Sequence, residues 1–336
     1  MYVGALRCGG RWTTNVVLRS WHVMERSLCT SAVICEAKST RYLVYVQYDG
    51  QNNREMPVAF EPDIVEALKK AIEKLVGSGN YSNFKATSRT DAGVHGIHNS
   101  FHIDLVRRKR QTEEAYSKNL SPEQVLNGIN FYLNNPAIAI TQCIAVSKDF
   151  DARKTVDSRT YMYRIICPRV HRRLLFDNGE PILSTSMYQR HYSWIVRWHL
   201  DVEKMQQAAR YLVGRNDFSV FACAGCQSPS PWKTVHNIEI SKRVKDNSNI
   251  HESLHDNDVE IVVKITSDSF LYKMVRNIVG VLVRVGRGKK DPIEMKDILE
   301  KKQIKEVRKA TLPPPQGLYL TSVNYNPEII AKYKLV

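Results

Sequence analysis

Apolar and polar positions recur with readable periods along most of the chain. Arg41-Tyr-Leu-Val-Tyr-Val-Gln-Tyr48 is dense in β-branched and aromatic residues and predicts a strand, closed by the turn pair Asp49-Gly50. Over 63–76, Ile64, Leu68, Ala71, Ile72 and Leu75 fall on one stripe at helical spacing, and Gly77 and Gly79 end it. Residues 84–88 and 101–106 predict extended segments. Ser121-Pro-Glu-Gln124 has the form of a helix start, with Ser as cap, Pro at the first helical position and Gln where a capping box needs it. Val125, Leu126, Ile129 and Leu133 supply that helix with a buried face. Strands are predicted over 137–146 and 160–167.

A second set of elements begins near Val202. The pattern predicts a helix over 202–213, strands over 236–241 and 259–265, an apolar helix over 273–285, a charged helix over 292–303 and a closing strand over 318–324. The polar run 246–258 predicts a surface hairpin loop. Strands and helices are mixed rather than strictly alternating, which points to an α+β fold with a largely antiparallel sheet. Two halves of similar size are expected, 39–180 and 181–336.

Charge changes this picture. The 336 residues carry 49 Lys and Arg against 34 Asp and Glu, a formal net charge of +15. The basic residues are spread along the chain, which suits a folded protein that meets a polyanion such as nucleic acid. No apolar run is long enough to span a bilayer, and the richest, Ile278 to Val285, is broken by Arg284. The seven cysteines are odd in number and irregular in spacing, so they do not form a disulfide framework. Cys223 and Cys226 make one C-x-x-C pair with only His236 at hand. A pair in a loop is favoured over a metal site, so no metal is expected. No phosphate-loop or dinucleotide fingerprint is present.

From Met1 to Met24 there is no acid, and Arg7, Arg11 and Arg19 are interleaved with hydroxyl and apolar residues. Residues 1–38 are therefore expected to be a mitochondrial transit peptide directing the protein to the matrix. The alternative is a disordered leader on a cytoplasmic or nuclear protein.

The sharpest chemical candidate is Ala86-Thr-Ser-Arg-Thr-Asp-Ala-Gly-Val-His95, a predicted strand running into a loop. Asp91 stands between Arg89 and His95. A carboxylate held near a cation is suited to act as a base or a nucleophile. An ordinary turn, with Gly93 at positive φ, explains the same residues.

Residues Arg89 to His95 resemble the G-R-T-D-A-G-V-H signature of the TruA family of tRNA pseudouridine synthases, with Ser88 in place of the usual Gly. Phe150-Asp-Ala-Arg153 with Ser158-Arg-Thr-Tyr-Met-Tyr-Arg164, and Phe270-Leu-Tyr-Lys-Met-Val-Arg-Asn-Ile-Val-Gly280, are similar to two further family blocks. Asp217-Phe218, Pro231-Trp232 and Gln316-Gly-Leu-Tyr319 follow in the family's order. The wording is nearest to animal members. The resemblance covers about Arg41 to Tyr325. Thr160 and Met162 depart from the family's arginines, which bears on which uridine is modified.

The resemblance implies two ferredoxin-like halves with joined, largely antiparallel sheets and a central basic cleft. It implies an isomerase with tRNA as substrate, no cofactor, and a homodimer by family precedent. Asp91 would be the nucleophile, Arg276 its ionic partner, and Tyr161 the residue packed on the extruded uracil. Arg89 would bind substrate beside them. Two rivals stand against this: an inactive RNA-binding protein of mitochondrial RNA metabolism, and a zinc-dependent RNA enzyme using Cys223 and Cys226.

Overall fold

The computed structural model describes residues 39–51, 60–107, 119–167, 175–177, 180–182, 187–244 and 259–335, all within one compact unit, Ala37–Val336. The expected transit peptide and the expected 246–258 hairpin lie outside the described residues.

The chain begins with β1 (Thr40–Tyr48), α1 (Val65–Val76), β2 (Tyr81–Ala86), β3 (His95–Leu105), α2 (Pro122–Leu133), β4 (Ile138–Val146) and β5 (Val156–Cys167). Short elements follow: β6 (Leu175–Asp177), β7 (Glu180–Ile182), α3 (Met187–Arg190) and β8 (Trp194–Ile195). Then come α4 (Val202–Arg210), β9 (Gly214–Asp217), β10 (Trp232–Val244), β11 (Val259–Ser267), α5 (Met274–Gly286), α6 (Glu294–Glu300), α7 (Ile304–Arg308), β12 (Leu318–Tyr325) and α8 (Pro327–Tyr333).

Ten of the strands form one mixed, mostly antiparallel sheet in the order β4-β1-β3-β12-β5-β11-β10-β9, with β2 paired to β3 and β8 to β5. This is the expected α+β architecture of two halves with joined sheets. The joint is short and parallel: Tyr319 and Leu320 of β12 lie opposite His95 and Gly96 of β3. On its other side β12 runs antiparallel to β5.

Both faces of β1 are buried. Tyr42, Val44 and Val46 pack with Leu68 and Ile72 of α1 and with Val125 and Ile129 of α2. Leu43 and Tyr45 face Phe150, and Ile330 and Tyr333 of α8. Continuous apolar wording is what a strand covered on both sides requires. A third cluster joins β5, β10 and β11 to α4, α5 and α6 through residues such as Ile165, Val263, Met205, Ile278 and Met295. α2 closes its N-terminus with the expected capping box: Gln124 N–H donates to Ser121 Oγ at 3.1 Å, and Ser121 N–H to Gln124 Oε1 at 2.9 Å.

α5 is buried almost all round. Its Gly280 permits a close approach, since a Cβ there would stand 2.9 Å from the Thr311 carbonyl oxygen. The segment 311–313 therefore lies directly on the helix, and its Pro313 carbonyl meets Arg276 one turn earlier.

Candidate active site

Residues 87–94, between β2 and β3, are fixed by bonds to β3 and β1. Thr87 N–H donates to the Ser100 carbonyl at 2.9 Å, and Asn99 Nδ2 to the Ser88 carbonyl at 3.0 Å. Thr90 Oγ1 and Tyr48 OH are 2.8 Å apart. Val94 N–H closes the loop on the Asp91 carbonyl at 3.1 Å. Gly93 sits at φ 84°, in the left-handed region, and a Cβ there would come within 2.8 Å of Pro315 Cγ. Thr87, Ser88 and Thr90 are buried, whereas Asp91 keeps its side chain 29% exposed. The loop thus offers one carboxylate to solvent on a rigid frame.

Arg276 lies in the first turn of α5 and is buried. Its Nε donates to the Pro313 carbonyl at 2.8 Å, and its Nη1 stands 3.6 Å from Asp91 Oδ2. That is ion-pair distance with slack beyond a normal hydrogen bond. The pair brings together two residues that the sequence keeps in different halves.

Tyr161, on β5, packs edge-on against Phe270, with ring centroids 5.0 Å apart at 85°. Burial, above all, pushes its phenol up to about 12, with the charge of Asp91 adding in the same direction. The hydroxyl stays protonated at neutral pH and is a neutral donor.

The sequence suggested His95 as a second cation beside Asp91. The structure corrects that. His95 Nδ1 lies 3.0 Å from Asp49 Oδ1, and its Nε2 3.2 Å from the Gln316 carbonyl oxygen. Its ring stacks on Tyr319 at 4.6 Å. Asp49 is lowered to about 2, chiefly by the His95 bond, with help from Gln51 N–H and the Tyr192 hydroxyl. The register that sets Tyr48 opposite Gly96 brings these neighbours together. His95 therefore belongs to a frame behind the loop.

Arg89, Asp91, Tyr161 and Arg276 all line one cleft of about 710 Å³. Arg89 is exposed on its wall. The cleft also holds Lys85, Arg153, Arg159, Lys233 and Lys273, against the acids Asp91 and Asp268. Its lining is basic, as a polyanion site requires. Its volume suits a small-ligand or single-nucleotide site.

Sequence reasoning gave no role to Arg159. This half-buried residue donates to Ser88 Oγ at 2.8 Å, to the Asp268 carbonyl at 2.7 Å and to the Thr87 carbonyl at 3.2 Å. It laces the Asp91 loop to the Asp268 turn. The signal was its place in the Ser158-Arg-Thr-Tyr block, but its partners are all non-local. Cys223 and Cys226 flank a turn against α5. Their sulfurs accept from Asn277 Nδ2 and from the Tyr272 N–H, each at 3.5 Å. Among the described residues no group of three or more His, Cys, Asp or Glu is placed to hold a metal, and no helix is long and apolar enough to cross a membrane.

A family model described as tRNA pseudouridine synthase matches residues 208–326. The chain is 33% identical over 290 residues to tRNA pseudouridine synthase-like 1 of Mus musculus, covering 85% of this chain and 94% of that one. It is 33% identical over 302 residues to the Homo sapiens protein of the same name, covering 88% and 93%. It is 31% identical over 292 residues to tRNA pseudouridine synthase A of Jannaschia sp., covering 87% and 97%.

Proposed function

Because the chain belongs to the tRNA pseudouridine synthase family, and so is an isomerase that acts on tRNA, we propose that Asp91 is its nucleophile. The observation that carries this reading is the pair of Asp91 and Arg276 in the basic cleft, 3.6 Å apart. A carboxylate on a fixed loop, facing a buried guanidinium and open to the cleft, is poised to attack rather than to brace the fold.

The reaction breaks the N1–C1′ bond of uridine, turns the uracil and joins C5 to C1′, releasing the C5 proton. Asp91 begins it by attack on C1′, by attack on C6, or by drawing off the 2′ proton. None of these routes needs a redox agent or a nucleotide. The target base must leave its stack, and Tyr161 with Phe270 gives it an aromatic wall. On this reading the Tyr161 hydroxyl serves as a relay for the C5 proton, passing its own proton on as it takes the one from carbon. Arg89, on the cleft wall, meets the nucleotide as it enters. The two halves, 39–180 and 181–336, supply Asp91 and Arg276 respectively. The same reading makes residues 1–38 an import leader for the mitochondrial matrix, and the working enzyme a homodimer.

Tritium release tests the reaction. Purified protein incubated with tRNA carrying 5-tritiated uridine is expected to release tritium to water in step with pseudouridine formation. Bound tRNA with no tritium released would overturn the reading.

A further inference from the structure

We propose that Lys233 is the anchor for a backbone phosphodiester of the RNA strand beside the target nucleotide. The inference rests on the RNA-modifying reading of the cleft and adds to it a single, separable contact.

Lys233 is the second residue of β10. Strand alternation sends its neighbour Trp232 outward, 51% exposed, and turns Lys233 into the cleft, 9% exposed. Its ammonium donates to Ser228 Oγ at 3.1 Å, and the Ser228 hydroxyl in turn donates to the Ser230 carbonyl at 3.0 Å. An ammonium has three donors. The described residues answer one of them, with a neutral oxygen. Among the described residues Lys233 has no carboxylate partner. Asp268, on the same cleft, turns its Oδ1 to the hydroxyls of Ser267 and Ser269 instead, at 3.3 and 3.2 Å.

The other buried basic side chains show how unusual this is. Lys290 is as buried as Lys233 and is met by Glu294 at 2.5 Å and Glu306 at 2.8 Å. Arg276 is met by Asp91. A buried cation without a counter-charge is destabilising unless something outside the fold supplies the charge. Arg159, nearby on the cleft lining, also hydrogen-bonds only neutral oxygens, and the charge of Asp268 is shared between these cations, so that wall keeps a net positive charge. A phosphodiester brings one negative charge and two strong acceptor oxygens. A nucleobase carbonyl would leave the ammonium uncompensated.

The test compares the salt dependence of tRNA binding by the full-length chain and its variants. Lys233→Met and Lys233→Gln are expected to weaken binding about tenfold at moderate salt, and to reduce the slope of log affinity against log salt by about one. Lys233→Arg is expected to restore the slope. Ser228→Ala removes the one hydrogen-bond partner of the ammonium among the described residues and leaves the charge, so its slope should equal wild type. If Lys233 merely braces the Ser228 turn, Met and Gln would lower thermal stability and leave the slope at the wild-type value, which would overturn the proposal. Wild-type protein that binds tRNA without making pseudouridine would sink the proposed reaction, and the slope comparison would still decide the role of Lys233.

Discussion

Arg276 divides its guanidinium between two partners: Nε is anchored on the Pro313 carbonyl at 2.8 Å, and Nη1 faces Asp91 Oδ2 at 3.6 Å. A planar fork can hold a carbonyl with one edge while presenting charge with the other, and an ammonium cannot. Arg276→Lys is therefore expected to keep the fold and lose the alignment. Single-turnover pseudouridine formation should fall on the order of 100-fold, the scale of a small misplacement in a positioned site. A rate within a few-fold of wild type would mean that charge alone suffices there.

Gly280 controls the same alignment from a distance. A methyl at this position would meet the Thr311 carbonyl at 2.9 Å and Pro313 Cδ at 3.2 Å. Gly280→Ala should push the 311–313 segment off α5, at a cost of about 1–3 kcal/mol in stability. It should also slow catalysis, because the Pro313 carbonyl moves away from Arg276. Denaturant melts and single-turnover rates on the same preparation check this. Normal rate with normal stability would show that the segment yields without disturbing Arg276.

The Asp49–His95 pair gives a pH signature. Asp49 is lowered from 3.8 to about 2, first by the His95 bond. A depressed carboxylate stabilises the fold above its unfolded value, and that stability is lost as pH falls toward the folded value. Asp49→Asn should cost about 2 kcal/mol at pH 7, by the usual conversion of pKa shift to free energy. The difference from wild type should shrink to roughly half by pH 3. Urea melts of both proteins from pH 7 to pH 3 check this. A difference that stays constant with pH would remove Asp49 as a paired carboxylate.

The leader is tested by fusion. Residues 1–38 joined to a fluorescent reporter are expected to carry it into mitochondria, because Met1 to Met24 is free of acids and bears three arginines. Cytosolic or nuclear signal would contradict matrix localisation.

Much of the scaffold is legible in the chain because its signals are local. The Ser121–Gln124 capping box, the two-faced strand β1 and the apolar helix α5 each depend on residues a few positions apart. The misses have physical causes. The charged helix expected over 292–303 is realised only as α6, ending at Glu300, because Lys302 adopts φ 50°, which no α-helix tolerates, and α7 starts beyond the expected span. β9, Gly-Arg-Asn-Asp, has no strand pattern and exists only because β10 pairs with it. α8 carried a readable start, with Asn326 capping and Pro327 in the first turn, and went unread. At the site, the Asp91 loop was marked by its motif. The partner of His95 and the lacing by Arg159 depend on register and long-range packing, which no local window contains.

Asp91 itself is tested most directly by Asp91→Asn. The substitution keeps size and turn preference while removing charge and nucleophilicity. If Asp91 is the nucleophile, folded variant should bind tRNA nearly as wild type does, since a carboxylate repels rather than holds a phosphate, and should form no pseudouridine in single-turnover assays. If Asp91 only shapes the loop, Asn serves almost as well. Near-normal pseudouridine yield from folded Asp91→Asn protein would contradict the mechanism.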